Sequence, residues 1–547
     1  MITRDENHPS IIFWSNGNEG GFNYGLEPDF AFWDKQKRVV LYPWANRNGF
    51  ETKHYRSYGE TQEYMRQKEI FMPTEFLHGL YDGGHGAGLK DYWDMMMANP
   101  RCAGGFLWDL MDQGVVRTDK NNYVDCMGNF GADGIVGPHA EKEGSYYTIK
   151  EVWCPVQLTW NDVEKGELTL SNQYNFVNLK DCRFSYRLLQ MPAMGSTQVK
   201  VLKQGNLSSP DVAPGKEAQV KIPMMANADA VEIKAVNHEG EEIMTWSRGV
   251  KSEERRVKNS SAPSTSSAAY ADQADAVEVK AGGRTYRFAK KDGRLMGVEV
   301  GSKAISLSNG PRFMAARRSD RSLDQFYNHD DKEAEKKKTL YTEFVDQGAF
   351  AGFEWKEAEA KLVATYQHGS LDEVDWQFLS DGSVAVTCHY NFGGVVDMMG
   401  MAFDYPESKV RSKAWVGNGP YRVWQNREQG PQYGYWQNDY NDPIPAESWD
   451  YPEFKGYFAN VKWMQFKTDE GKIGFSGLTA DEHMGVYTPR DGRDGLLYTL
   501  PQTGLAVFKV IPSVRNKVNT TDLNGPSAQP KWLNGKGKTV FTLNFEL

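Results

Sequence analysis

Residues 11–19 read Ile-Ile-Phe-Trp-Ser-Asn-Gly-Asn-Glu, a bulky apolar run that stops at a polar turn carrying the carboxylate Glu19. The same design recurs at Ile70-Phe71-Met72-Pro73-Thr74, which ends on Glu75. Three further runs, Arg38–Pro43, Phe50–Tyr55 and Ala103–Trp108, are equally short and apolar or aromatic. Short runs without polar alternation suit strands buried on both faces. Glu60–Lys68 and Lys90–Ala98 lie between them, the latter with Tyr92, Trp93, Met96 and Met97 at helical spacing. The first 150 residues are therefore expected to form a βα pattern with five strands in a parallel sheet.

Further along the chain the pattern changes. Glu167–Leu170, Phe184–Gln190, Gln219–Ile222 and Ala230–Ala235 alternate polar and apolar residues between turn clusters, which predicts a β-sandwich over 151–250. Residues 251–275 are charged, then Ser/Ala-rich, and read as a solvated linker. From 276 to 547 alternation returns. Arg284–Val300 has period two around Asp292-Gly293, a hairpin signal, and Lys538–Leu547 is a closing strand. About 270 residues without a helical pattern suit a large two-layer sandwich. Thirteen aromatics fall in the 46 positions 421–466, among them Trp424, Tyr433, Trp449, Tyr451 and Trp463. That density fits core and interface packing better than an exposed sugar platform.

Composition excludes several classes. A chain of 547 residues with 63 basic and 72 acidic side chains has a net charge of −9, and its longest basic block is Lys336–Lys338. That argues against nucleic-acid binding. No apolar run approaches the ~20 residues of a membrane span. The opening MITRDENHPS has no apolar core, so no signal peptide is visible. The five cysteines are too few and too scattered for a disulfide framework or a CxxC metal site.

Glu19 and Glu75 lie 56 residues apart, about two βα units, each at the C-terminal end of a strand. In parallel βα folds those ends face the reaction site. Two facing carboxyls are the hardware of a retaining glycosidase, one protonating the leaving oxygen and the other attacking the anomeric carbon. Taken singly, each also reads as an ordinary acidic residue in a polar loop. The run Gly83-Gly84-His85-Gly86-Ala87-Gly88 lacks the Gly-Lys-Ser/Thr ending of a phosphate loop and reads as a pocket loop, with His85 more plausible as a plain loop residue than a substrate contact.

Four stretches raise the pair above that background. Arg4-Asp5-x-Asn7-His8-Pro9-Ser10-Ile11-Ile12, followed by Trp14–Glu19, resembles the acid/base signature of glycoside hydrolase family 2, the family of the large bacterial β-galactosidases. Pro73-Thr74-Glu75-Phe76-x-His78 resembles its nucleophile strand. Gly104-Gly105-Phe106-x-Trp108-Asp109-x-x-Asp112-Gln113 resembles its last barrel strand, and Phe130-x-x-Asp133-Gly134-Ile135-Val136 the loop that follows. Trp415-x-Gly417-x-Gly419-Pro420 resembles the large C-terminal sandwich of the same enzymes.

The resemblance implies a multidomain chain: strands 4–8 of a (β/α)₈ TIM barrel, then an immunoglobulin-like β-sandwich and a large β-sandwich. It implies Glu19 as acid/base and Glu75 as nucleophile, with Asn18, Tyr55, His78, Trp108 and Asp133 around the sugar. Glu19, Phe130 and Asp133 would be metal ligands, for magnesium and a monovalent cation such as sodium in the complete enzyme. Asp133 stands where the family pattern has Asn. Three barrel strands and the N-terminal domains of the family are missing, so the chain reads as the C-terminal portion of a β-galactosidase acting on oligo- or polysaccharide, inactive alone. It would then associate with a complementing N-terminal chain or with itself, in a periplasmic or secreted parent. The alternatives are β-glucuronidase or β-mannosidase specificity, or a non-catalytic carbohydrate- or partner-binding fragment.

Overall fold

The computed structural model describes residues 1–547 except 80–84, 127–130, 132, 251–266, 319–340, 344–347, 440–455, 487–503, 515, 517 and 520. The chain is multidomain and mostly β-sheet. Among the described residues no helix is long and apolar enough to cross a membrane.

In the first 150 residues, β1 (Phe13–Ser15) pairs in parallel with β2 (Val39–Leu41), joined through the helix α1 (Glu27–Trp33). β3 (Phe50–Glu51) pairs in parallel with β4 (Ile70–Phe71), joined through α2 (Tyr58–Met65). Ser57 starts α2 because its hydroxyl accepts the Glu60 N–H at 3.3 Å while the Glu60 carboxylate accepts the Ser57 N–H at 3.0 Å. The next helix, α3 (Leu89–Met97), buries Leu89, Tyr92 and Met96 against Phe71 and Phe76; of the four residues at helical spacing Trp93 is half-buried and Met97, one position round the helix, is 59% exposed.

One expected strand is absent as such. Residues 101–108 run parallel to 71–79 but touch them through the isolated bridges Phe71–Cys102 and Phe76–Leu107. Gly104 has φ +89°, and a Cβ on Gly105 would come within 2.8 Å of Phe76, so the glycine pair breaks the regular pleat where Phe76 presses closest.

Seven strands then form two antiparallel sheets. One runs in the order Lys200–Leu207, Arg183–Gln190, Ala230–Val236, Glu242–Gly249; the other Glu217–Lys221, Glu167–Asn172, Val156–Asp162. Leu168, Leu170, Phe184, Leu188 and Ile233 fill the space between them. The remainder forms a ten-stranded and a nine-stranded sheet around one core containing Phe288, Trp376, Phe403, Trp415 and Phe541. The hairpin turns at Asp292-Gly293 as expected, with Arg284 opposite Val300 and Gly293 at φ +73°. The closing strand is longer than expected, Lys531–Glu546. The linker is shorter: residues 251–266 lie outside the described residues, but Ala269–Asp272 is a strand paired with Ala276–Ala281. Tyr270 supplies the reason, stacking on Trp355 at 5.6 Å. Of the dense aromatics, Trp424, Tyr433 and Trp463 are buried, and Tyr421 stacks on Tyr147 at 4.5 Å; Trp449 and Tyr451 lie outside the described residues.

The large sheets grip the N-terminal segment. Gly88 N–H donates to Asn426 O at 2.9 Å, Ser527 N–H to the Asp91 carboxylate at 2.7 Å, and Asn519 Nδ2 to Tyr55 O at 3.1 Å.

Trp376 is among the largest fully buried side chains, whereas Trp532 is 70% exposed. Trp376→Ala should therefore destabilise the large sheets by about 3–5 kcal/mol. Trp532→Ala should stay within about 0.5 kcal/mol. Denaturant unfolding of both variants checks the contrast.

Candidate active site

Glu19 leaves β1 through the turn 16–21, in which Gly21 N–H donates to Asn18 O at 2.6 Å. Gly17 makes this turn possible: it sits at φ +82°, and a Cβ there would meet Gly21 O at 2.4 Å. Glu19 and Tyr55 are themselves left-handed, at φ +46° and +50°. For residues with side chains that conformation costs about 1–2 kcal/mol each and is held by the surrounding structure.

Glu75 follows β4, and Tyr55 follows β3. Tyr55 N–H donates to Glu75 O at 3.2 Å, so the two chain segments are still joined where the side chains emerge. The Tyr55 hydroxyl donates to Glu75 Oε2 in a short hydrogen bond. Burial, then the neighbouring Glu75, push the Tyr55 phenol far up, so it stays protonated and serves as a fixed donor.

Between the two carboxyls stands His54, whose side chain is fully buried. Its Nδ1 is 3.4 Å from Glu19 Oε1 and 3.5 Å from Glu75 Oε2, and the three atoms used lie within 4.8 Å of one another. On its other side, Nε2 meets Thr74 Oγ at 2.8 Å, and that hydroxyl donates to Thr52 O at 3.4 Å. Thr74 Oγ therefore accepts from His54 Nε2–H. Burial lowers the His54 pKa against the opposing pull of Glu75 and Glu19, favouring a neutral ring. A neutral ring with its proton on Nε2 turns an Nδ1 lone pair toward Glu19, which in its acid form can donate to it. The side chain of Glu19 is 41% exposed and that of Glu75 12%. Glu19 can exchange a proton with water, while Glu75 is shielded.

The other expected residues fall beside this pair. The His78 ring lies 5.3 Å from Tyr55 and 6.4 Å from Trp108, its Nδ1–H donates to Gly79 O at 2.7 Å, and it stands 3.7 Å from the buried Asp133 carboxylate. Asn18 contributes its carbonyl to the turn and is otherwise exposed. Phe130 lies outside the described residues. His85 does not line the site. It is fully buried, and its Nε2–H donates to Trp108 O at 2.7 Å, propping the wall from behind. Sequence reasoning passed over His54 and Thr74, each the immediate neighbour of a site residue, and Asn519, which lies 464 residues from the Tyr55 it holds.

The residues expected to serve magnesium and a monovalent cation lie in two places, and Phe130 lies outside the described residues. Glu19 sits with His54 and Glu75, Asp133 with His78. Magnesium takes oxygen ligands in an octahedron. Around Glu19 the described residues offer one imidazole nitrogen and the shielded carboxylate Glu75, a donor set that does not fit magnesium.

Three family models match in chain order. Residues 1–138 match glycosyl hydrolases family 2, TIM barrel domain; 168–245 match β-galactosidase, domain 4; 280–503 match β-galactosidase small chain. A β-galactosidase of Oenococcus oeni is 21% identical over 97% of this chain and 56% of its own length. One from Pectobacterium atrosepticum is 31% identical over 32% of this chain and 20% of its own. Among solved structures, the exo-chitosanase CsxA of Amycolatopsis orientalis aligns at 10% identity over 58% of this chain and 46% of its own, with a TM-score of 0.25. The chain thus spans little more than half the length of the longest-matching of these curated relatives and a fifth of the other.

Burial holds the His85 pKa down at about 4, against about 6.5 when unfolded. The unfolded chain takes up this proton first. The contribution is therefore complete above about pH 6.5 and is lost as pH falls toward 4, amounting to about 3 kcal/mol. Denaturant titrations across this range should give a steeper pH dependence for the wild type than for His85→Gln.

Proposed function

Because the chain is a β-galactosidase-like protein of glycoside hydrolase family 2, we propose that it carries the reacting half of a retaining exo-β-glycosidase acting on terminal β-D-galactosides. One observation carries the reading: a carboxylate oxygen of Glu19 and one of Glu75 lie within 4.8 Å of each other. Retaining enzymes hold their carboxyls about 5–5.5 Å apart, whereas inverting enzymes need about 6.5–9.5 Å to admit a water.

In this reading Glu75 attacks the anomeric carbon while Glu19 gives its proton to the leaving oxygen. The proton of Glu19 rests against His54 Nδ1 until the leaving group takes it. Tyr55 steadies the Glu75 carboxylate as the covalent glycosyl ester forms and again as it leaves. Glu19, now a carboxylate, then draws the proton from the incoming water, and attack on the same face restores the original configuration. His78, Trp108 and Asp133 form the wall against the sugar, with Asn18 beside its hydroxyls. Residues 1–150 would be the second half of a (β/α)₈ barrel, 151–250 an immunoglobulin-like sandwich, 251–275 the linker, whose strand Ala269–Asp272 joins the sheet edge, and 276–547 the large sandwich. Both flanks of the N-terminal segment expose apolar side chains, Ile12 at 66% and Phe106 at 59%. Those faces suit packing against the remaining barrel strands, supplied by a complementing chain or a longer parent protein.

The roles separate by rescue. With the complete barrel present, Glu75→Gln should abolish turnover of an aryl β-galactoside. Glu19→Ala should be rescued by azide on an activated leaving group, giving the β-galactosyl azide, because that leaving group departs without a proton and azide, unlike water, attacks without a base. Equal rescue of Glu19→Ala and Glu75→Ala with the same anomeric product would show that the roles are misassigned.

A further inference from the structure

A cavity of ≈ 360 Å³ opens where α4 (Gly144–Val152), the smaller pair of sheets and the nine-stranded sheet meet. Its volume is that of a small-molecule site, about 300–1,000 Å³. None of its lining residues belongs to the cluster around Glu19 and Glu75.

The cavity is preformed. Ser247 bridges its walls, its N–H donating to Gln432 Oε1 at 2.7 Å and its hydroxyl to Tyr433 O at 2.6 Å. At its base the Glu151 carboxylate accepts the Gly430 N–H at 2.6 Å through Oε2, and burial raises the pKa of that carboxyl. The rest of the lining is unspent. The Trp160 indole N–H, the Arg248 guanidinium, the Asn418 and Asn460 amides and the Glu428 carboxylate make no hydrogen bond among the described residues. Asn418 and Asn460 are half-buried, so these are polar groups partly withdrawn from water without protein partners.

The chemistry of that lining selects its ligand. Glu151, Glu164 and Glu428 against one Arg248 make the cavity a poor host for a phosphate or carboxylate. Five uncommitted polar groups make it a poor host for a purely apolar ligand. Donors and acceptors interspersed around an indole ring match a neutral polyol, whose hydroxyls both give and accept hydrogen bonds and whose C–H face packs on an aromatic. We propose that this cavity is a second saccharide-binding site, taking one hexopyranose unit of a neutral oligosaccharide away from the candidate catalytic centre.

The experiment uses the full 547-residue chain carrying Glu75→Gln, titrated with galactose, lactose and maltose by calorimetry and by saturation-transfer NMR. At least one sugar should bind, and its binding should persist when His78→Ala is added. Asn418→Ala and Glu428→Ala should each weaken it by roughly tenfold, the loss of one well-placed hydrogen bond. Trp160→Ala should remove it. If Trp160→Ala fails to fold, the two polar variants decide, since neither removes a protein hydrogen bond. Absence of binding by all three sugars would overturn the proposal. So would binding abolished by His78→Ala alone, or binding indifferent to Asn418→Ala and Glu428→Ala.

Discussion

The candidate site hangs on a ladder of parallel backbone hydrogen bonds that joins four short segments. Met72 N–H donates to Glu51 O at 3.0 Å, Phe71 N–H to Arg101 O at 2.9 Å, Gly79 N–H to Trp108 O at 2.8 Å and Asp109 N–H to Asp133 O at 3.1 Å. Few of these residues belong to regular strands, yet each rung holds one segment in register with the next. Tyr55, Glu75, His78, Trp108 and Asp133 emerge at or beside the rungs. A slip of one residue along any segment would turn its side chain to the opposite face, so the ladder places the functional groups before any side-chain contact is made.

Side-chain electrostatics then sharpen what the ladder places. A fully buried imidazole stands against two carboxyls, and its far nitrogen is tied through Thr74 to Thr52 O. That tie sets the ring's orientation and, with burial favouring neutrality, leaves Nδ1 as the atom that faces the carboxyls of Glu19 and Glu75. Tyr55 does the complementary work on the far side of Glu75, a donor kept protonated by the same burial. The large C-terminal sheets take part at a distance. Asn519 holds the Tyr55 carbonyl where that residue is left-handed, and the chain around Asn426 and Ser527 clamps the start of α3. Their bulk is thus part of the support for a site formed by the N-terminal segment.

The β-rich two-thirds of the chain was legible in detail because period-two alternation is a local property. Glu167–Asn172 buries every second residue, and the Asp292-Gly293 hairpin turns where its sequence says. Legibility failed where local pattern and packing disagree. Ala103–Trp108 is apolar enough for a strand, but Gly104 at φ +89° and Gly105 under Phe76 prevent a continuous one. Ala269–Asp272 has a linker's composition, but one tyrosine with a tryptophan to stack on draws it into a sheet edge.

The two carboxylates, their strand-end setting and the turn before Glu19 are written in contiguous residues, where spacing along one strand or turn is enough to read them, whereas Tyr55, 20 residues from Glu75, was named only through the family resemblance. The partners of those groups are not. That His54 stands between Glu19 and Glu75, that His85 turns away to prop Trp108, and that Asn519 reaches Tyr55 depend on contacts spanning 21 to 464 residues of sequence. Nothing in a short window specifies such a contact. It is set by how the sheets close on one another, because the free energy that decides it is burial and hydrogen bonding summed over the whole fold.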